Sequence, residues 1–298
     1  PRFGALFRFR GGSHAVFRTW QRNLPASPSL TGHMPISIET RFAFHLAAPT
    51  DILLQFEAAA IPEQTILSSD TDLCPDERCA RVSAQHDIGE RIWIRAQGEC
   101  TVAYRARVDI ERQVSNLEEL SALPAHHLPG EAVEYLFDSR YCPADDFQSF
   151  VDAQFGDTAG GARIARMRDW IGENFTYVPG VSDSGTGAAQ SFIARQGICR
   201  DYAHVLIALA RASAIPARYV ACYAPGVDPP DFHAVAEVFL ADPATPAGGT
   251  WQLVDPTGMA DPSQTVKIGV GRDAADVSFL TSFGPSDFRT SSVSVSQE

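Results

Sequence analysis

The strongest constraint on this chain is a change of period near residue 146. Before it, apolar side chains recur every second position. Ile36-Ser37-Ile38-Glu39-Thr40-Arg41-Phe42-Ala43-Phe44 alternates, as do Ile88 to Ile94 and Thr101 to Val108. Turn residues, among them Pro49-Thr50-Asp51 and Cys74-Pro75-Asp76, separate the runs. Side chains two apart fall on one face of a strand, so Ile36 to about Glu111 predicts an antiparallel β-sandwich. After the change the spacing is helical. Phe147, Phe150 and Val151 predict a short helix, and Ile164, Met167, Ile171 and Phe175 form one stripe on a helix over 162–175. A further short helix over 188–195 stops at Gly197, and the next runs from Cys199 to about Ser213. Strands follow over 218–224, 233–241 and 250–255. Helices first and an antiparallel sheet afterwards give an α+β fold class.

The expected organisation is an N-terminal β-sandwich domain over 34–115, a connecting segment over 116–145, and an α+β domain over 146–298. Residues 1–33 read differently. They are rich in Arg, Ser and Gly, lack acidic residues, and contain no continuous apolar run of the kind a secretory signal needs. Met34 reads as the natural start and the leader as disordered or non-native upstream sequence. A basic disordered tail or a transit-like segment is the alternative.

The formal charge of -12 and a single lysine, Lys267, make phosphate backbones and anionic membrane surfaces poor partners. The expectation is therefore no nucleic acid and no membrane. Six cysteines at 74, 79, 100, 142, 199 and 222 are too sparse for a disulfide framework. Cys74 and Cys79 are spaced for a local bridge or half a metal clip, and Cys100, Cys142 and Cys222 read as isolated buried thiols. This pattern fits a reducing, cytoplasmic setting. No metal and no cofactor are expected, because no second CxxC or His pair completes a zinc set.

The chemistry concentrates in Gly197-Ile198-Cys199-Arg200-Asp201-Tyr202-Ala203-His204, read with His233 and Asp255. Cys199 stands where a glycine-led turn becomes an apolar helix. Partial positive charge at a helix N-terminus favours a thiolate, and the free N–H groups of the first turn can hold an oxyanion. Any single cysteine is more often an inert core residue; its partners decide the matter. His204, five residues on, lies about 140° around the helix and cannot share the face of Cys199, so it reads as a packed histidine. His233 opens a strand directly after a loop, and Asp255 closes the next strand. Antiparallel pairing brings the start of one beside the end of the other, and their even separation puts both on one face. Asp255 can then accept the imidazole N–H and fix its tautomer. An odd slip of register would break this arrangement. Taken alone, Asp255-Pro256-Thr257-Gly258 is an ordinary turn signal and His233 an ordinary strand-edge histidine.

Gly-Ile-Cys-Arg-Asp-Tyr-Ala-His, Ile215-Pro216-Ala217-Arg218-Tyr219-Val220, His233-Ala234 and Trp251-Gln252-Leu253-Val254-Asp255-Pro256-Thr257 together resemble the transglutaminase-like superfamily. More narrowly they resemble its bacterial members assigned as cysteine proteases, which carry a β-rich domain before the core. Tyr135 to Tyr141 resembles the segment that joins the two parts. The resemblance covers about Gly160 to Gly258, and more weakly extends back to Ile36. It implies a papain-like core with Cys199 as nucleophile, His233 as acid/base and Asp255 as orienting carboxylate. Asp201 and Tyr202 match the family's acidic–aromatic pair, with Asp201 tying down the helix start. The second oxyanion donor stays open between Gln190 and Gln196, which no spacing selects. Asp228 and Asp231 are too few for a cation-binding loop.

The function these readings imply is thiol-dependent hydrolysis of a peptide, protein or small amide. Transfer to an amine, as in a transglutaminase, uses the same residues. A non-catalytic scaffold of the same fold is the second class of reading. Metal hydrolysis through His126, His127, Cys199 or His204 is the third, and lacks zinc-like spacing. Oligomeric state is not encoded in any recognisable pattern.

Overall fold

The computed structural model describes residues 34–73, 79–242, 245 and 248–298. The expectations for residues 1–33 lie outside them. The first part of the chain builds β1 (Ile36–Leu54), β2 (Gln64–Asp72), β3 (Ala80–Ser83) and β4 (Glu90–Ile110). A connection with the short α1 (Gly130–Val133) leads to α2 (Gln148–Phe155) and α3 (Gly160–Asn174). Then come β5 (Thr176–Tyr177), α4 (Ala188–Ala194), β6 (Gln196–Gly197) and α5 (Cys199–Ala212). The chain continues as β7 (Ala217–Tyr223), β8 (His233–Ala241), β9 (Gly249–Val254), β10 (Val266–Gly271), β11 (Leu280–Ser282) and β12 (Asp287–Gln297). The mixture of antiparallel sheets and helices is the α+β class expected from the period change.

The alternation in β1 and β4 translates directly into burial. Ile36, Ile38, Thr40, Phe42 and Phe44 point inward with Val102, Tyr104, Ala106 and Val108, while the alternate residues between them are more exposed. The two long strands pair along most of their length, with a register shift between Leu46 and Thr50. β12 and β2 flank one half of this pair, and β11 and β3 the other. The strands expected as a sandwich therefore form the centre of one continuous six-stranded sheet. Two of those strands come from the C-terminal end of the chain, which corrects the expected boundary. Residues 146–298 do not form one separate unit, because the chain returns at Leu280 to pair with β1.

The second sheet has the order β10-β7-β8-β9, antiparallel throughout. α5 lies across β7 and β8. Every side chain of α5 from Asp201 to Arg211 is buried, so this helix is central rather than amphipathic. Each fully buried Val, Leu or Ile in it contributes about 1.5–3 kcal/mol relative to exposure. Its start is thus fixed by the core itself.

The face of this sheet turned away from α5 carries a buried charge cluster. Glu237 is fully buried and bonds Arg218 at 2.7 Å. The lone lysine, Lys267, contacts both Glu237 and Glu63. Burial alone would raise the Glu237 carboxyl, but Arg218 and Lys267 outweigh it and hold the group at about 2. The Arg218 guanidinium also stacks 4.0 Å from the ring centre of Trp251.

Two cysteine expectations need correction. Cys79 is a free, exposed thiol, so the local bridge to Cys74 is not made. Cys100 is disulfide-bonded rather than an isolated thiol. Cys142 and Cys222 are buried and free, as read from the sequence. Among the described residues no helix is long and apolar enough to cross a membrane.

Candidate active site

Cys199 is the first residue of α5, and the turn before it is braced from several sides. The Asp201 carboxylate folds back to accept the Ile198 N–H at 2.9 Å and the Ser182 hydroxyl at 2.6 Å. Arg200 donates to its other oxygen at 3.1 Å. This closure explains Gly197: a Cβ there would lie 2.6 Å from both Cβ and Oδ2 of Asp201. Any side chain at 197 would push away the group that sets the first turn.

β6, immediately before Cys199, pairs in parallel with β5, placing Tyr177 opposite Gly197. The Tyr177 hydroxyl stands close enough to Cys199 that its backbone N–H and its thiol both act on it. Burial, and then the charge of Cys199, push that hydroxyl well above its usual range. Tyr177 carries no motif of its own, so sequence reading missed it; the signal is its place on a strand that ends beside the helix start.

On the facing side, Cys199 Sγ lies 4.0 Å from the Phe232 carbonyl oxygen, one residue before His233. The His233 ring is buried, and its Nε2 is 2.9 Å from Asp255 Oδ2. Nδ1 has no hydrogen-bond partner among the described residues. Burial works against an imidazolium here. The hydrogen bond to Asp255, the contact with Cys199 and the charges of both prevail, and the ring is pushed up to about 10. Burial likewise opposes the Asp255 carboxylate, but His233, the Ala260 N–H and Thr257 hold it below the ordinary range. The Asp-Pro-Thr-Gly turn therefore has a purpose. It delivers the Thr257 N–H at 2.8 Å, its hydroxyl at 2.7 Å and the Ala260 N–H at 2.7 Å to one carboxylate.

The fold thus gathers Cys199, His233 and Asp255, which the sequence separates by up to 56 residues (255 − 199). Cys199 and His233 border a cleft of about 360 Å³, whose walls include Tyr141, Tyr219, Phe232 and Phe279, while Asp255 does not line it and reaches the site through its bond to His233. Gln190 and Gln196 do not line it. Gln190 instead accepts the Gly187 N–H and caps α4, and Gln196 is exposed. His204 is fully buried, stacked against Tyr141, and accepts the Ala274 N–H at 3.1 Å. Burial depresses it to about 3, so it stays neutral. His126 and His127 sit together in a short turn, ring to ring. Asp231 is at the cleft mouth, bonded to the Phe232 N–H, with its carboxyl raised by burial.

Known proteins share this architecture. A family model described as the transglutaminase-like superfamily matches residues 149–256, which spans Cys199, His233 and Asp255. A crystal structure from Cytophaga hutchinsonii, provisionally assigned as a cysteine protease, superposes with a TM-score of 0.82 at 30% identity. That match covers 90% of this chain and 91% of the other, so it includes the amino-terminal sheet. An uncharacterised protein of Mycobacterium tuberculosis is 35% identical over 116 residues, 35% of this chain and 36% of that protein. One from Mycobacterium leprae is 31% identical over 134 residues, 41% of this chain and 48% of that protein. The chain thus spans about a third to a half of the length of these two relatives. With a matching core and a near full-length structural counterpart, the chain belongs to the transglutaminase-like superfamily.

Proposed function

We propose that this protein is a thiol-dependent enzyme that opens amide bonds through a thioester. The observation that carries the reading is the orientation of His233. Its Nε2 is tied to Asp255 at 2.9 Å, and its Nδ1, without a hydrogen-bond partner among the described residues, is free to act on the thiol at the helix N-terminus.

In the first step the Cys199 sulfur attacks the carbonyl carbon. A C–S bond forms and the carbonyl electron pair moves onto oxygen. The Cys199 N–H and the Tyr177 hydroxyl are the donors available to that oxygen. The tetrahedral species collapses as the C–N bond breaks, and the His233 imidazolium passes its proton to the departing nitrogen. Neutral His233 then takes a proton from water as the water attacks the thioester, and the thiolate leaves. Asp255 keeps the ring oriented and stabilises its charged form throughout.

An amine in place of water would make the same site a transglutaminase. Hydrolysis is preferred because nothing in the cleft marks a dedicated lysine tunnel. The protein offers no lysine of its own as acceptor, since Lys267 is buried in ion pairs. Incubation with a glutamine peptide and a fluorescent amine separates the two. Release of free acid and ammonia supports hydrolysis, and label incorporated without hydrolysis supports transfer. Amide hydrolysis that survives mutation of Cys199 would remove the assignment, and a Cys199 unreactive toward iodoacetamide near neutral pH in the folded protein would favour a scaffold role.

A further inference from the structure

The cleft beside Cys199 has a floor of very small side chains. Ala234 of β8 stands opposite Ala221 of β7, and Ala221 stands opposite Gly269 of β10. Residues opposed across a ladder share a face, so the three form one row. The row starts next to His233 and crosses two strand gaps, roughly 10 Å. Both alanines line the open cleft.

The far end of the row is closed by Gln55, contributed by the amino-terminal part of the chain just after β1. Gln55 is only 2% exposed. Its Oε1 accepts a bond from Arg91 Nε at 3.2 Å, and Arg91 is itself held by the Asp276 carbonyl at 3.1 Å. A guanidinium can only donate, so Oε1 must face Arg91 and Nε2 must face the other way. Nε2 lies over Gly269, 2.0 Å from where a Cβ would stand, which accounts for the glycine. Among the described residues Nε2 has no hydrogen-bond partner. A buried amide donor without an acceptor is unfavourable in a finished fold. Here it stands at the end of a groove that begins at the nucleophile.

We propose that the row is the seat of an extended, peptide-like arm of the substrate. The reacting carbonyl sits at Cys199, and Gln55 Nε2 donates to a second substrate oxygen, a backbone carbonyl or terminal carboxylate, about three residues away at roughly 3.3 Å per residue. This rests on the reading of Cys199 as the nucleophile. It gives the amino-terminal sheet a role in choosing substrate length.

The test uses the full chain and N-iodoacetyl oligoalanine amides of one to four alanines. Cys199 displaces iodide from the probe's methylene carbon and forms a thioether. The readout is each probe's labelling rate at Cys199 divided by that of iodoacetamide. The ratio should rise roughly three- to tenfold as the probe reaches Gln55, the range expected for one added hydrogen bond. Gln55→Glu keeps the shape and the Arg91 bond but presents oxygen where the N–H was, and should abolish the rise. Ala221→Leu, which fills the floor, should lower the ratio for the longer probes. Probes ending in a free carboxylate, compared with the amides, tell which oxygen is preferred. A ratio flat with length, or a rise that survives Gln55→Glu, overturns the proposal while leaving Cys199 as nucleophile. Failure of iodoacetamide itself to label Cys199 overturns both.

Discussion

Asp255 holds His233 along a diagonal of the β8–β9 ladder. Val254 stands opposite Ala236, so Asp255 is level with Val235, two positions from His233, yet Nε2 and Oδ2 are 2.9 Å apart. Diagonal neighbours on one face are within reach of long side chains. The simple expectation of direct opposition misses by two residues, an even number, so both groups stay on the same face. A shift of one would have sent the carboxylate to the other side of the sheet.

Asp255→Asn tests that diagonal. The amide keeps the shape but removes the charge and permits the wrong tautomer. Amide hydrolysis should fall on the order of 10³-fold or more. The His233 ring, followed by NMR titration, should move down from about 10, because a main support of its charged form has gone.

The same shifts set a pH dependence. His233 is raised in the folded state, from 6.5 to about 10, so its contribution to stability is complete below about 6.5 and is lost as pH climbs through about 10. Asp255 is depressed, so its contribution is present above its ordinary 3.8 and is lost as pH falls below it. Denaturant midpoints of the wild type and His233→Gln should therefore converge between pH 7 and 10. Activity should decline over the alkaline part of that range as the proton donor is lost.

Tyr177→Phe removes a single oxygen beside Cys199. If that hydroxyl holds the oxyanion, kcat should drop roughly 10²-fold with little change in KM. A change confined to KM would assign Tyr177 to binding instead. Steady-state kinetics on a peptide amide distinguishes the two.

Glu237→Gln leaves Arg218 and Lys267 buried beside a neutral amide. Breaking a buried ion cluster from one side costs about 3–5 kcal/mol. Urea unfolding should show that loss, and a cost below about 1 kcal/mol would mean the cluster relaxes to water.

Much of this architecture was legible in the sequence, and the misses have physical reasons. The alternation of β1 and β4, the stripe of α3 and the start of α5 at Cys199 follow from period and turn chemistry. β12 escaped because its Ser- and Thr-rich residues are mostly exposed and leave no apolar rhythm. β10 escaped because it is short and carries Gly269 and Gly271, although Val266, Ile268 and Val270 alternate. Within the site, Cys199, His233 and Asp255 were readable because each begins or ends an element. Tyr177 and Gln55 were not, since their importance comes from contacts across distant segments that no local pattern records.

The most direct test of the central claim is alkylation of the folded protein by iodoacetamide between pH 6 and 8, with each labelled cysteine identified by mass spectrometry. Cys79, free and exposed, serves as the internal reference. Cys199, though only 7% exposed, should react faster than Cys79, and His233→Asn should abolish that advantage. A Cys199 slower than Cys79, or indifferent to His233→Asn, would contradict the account.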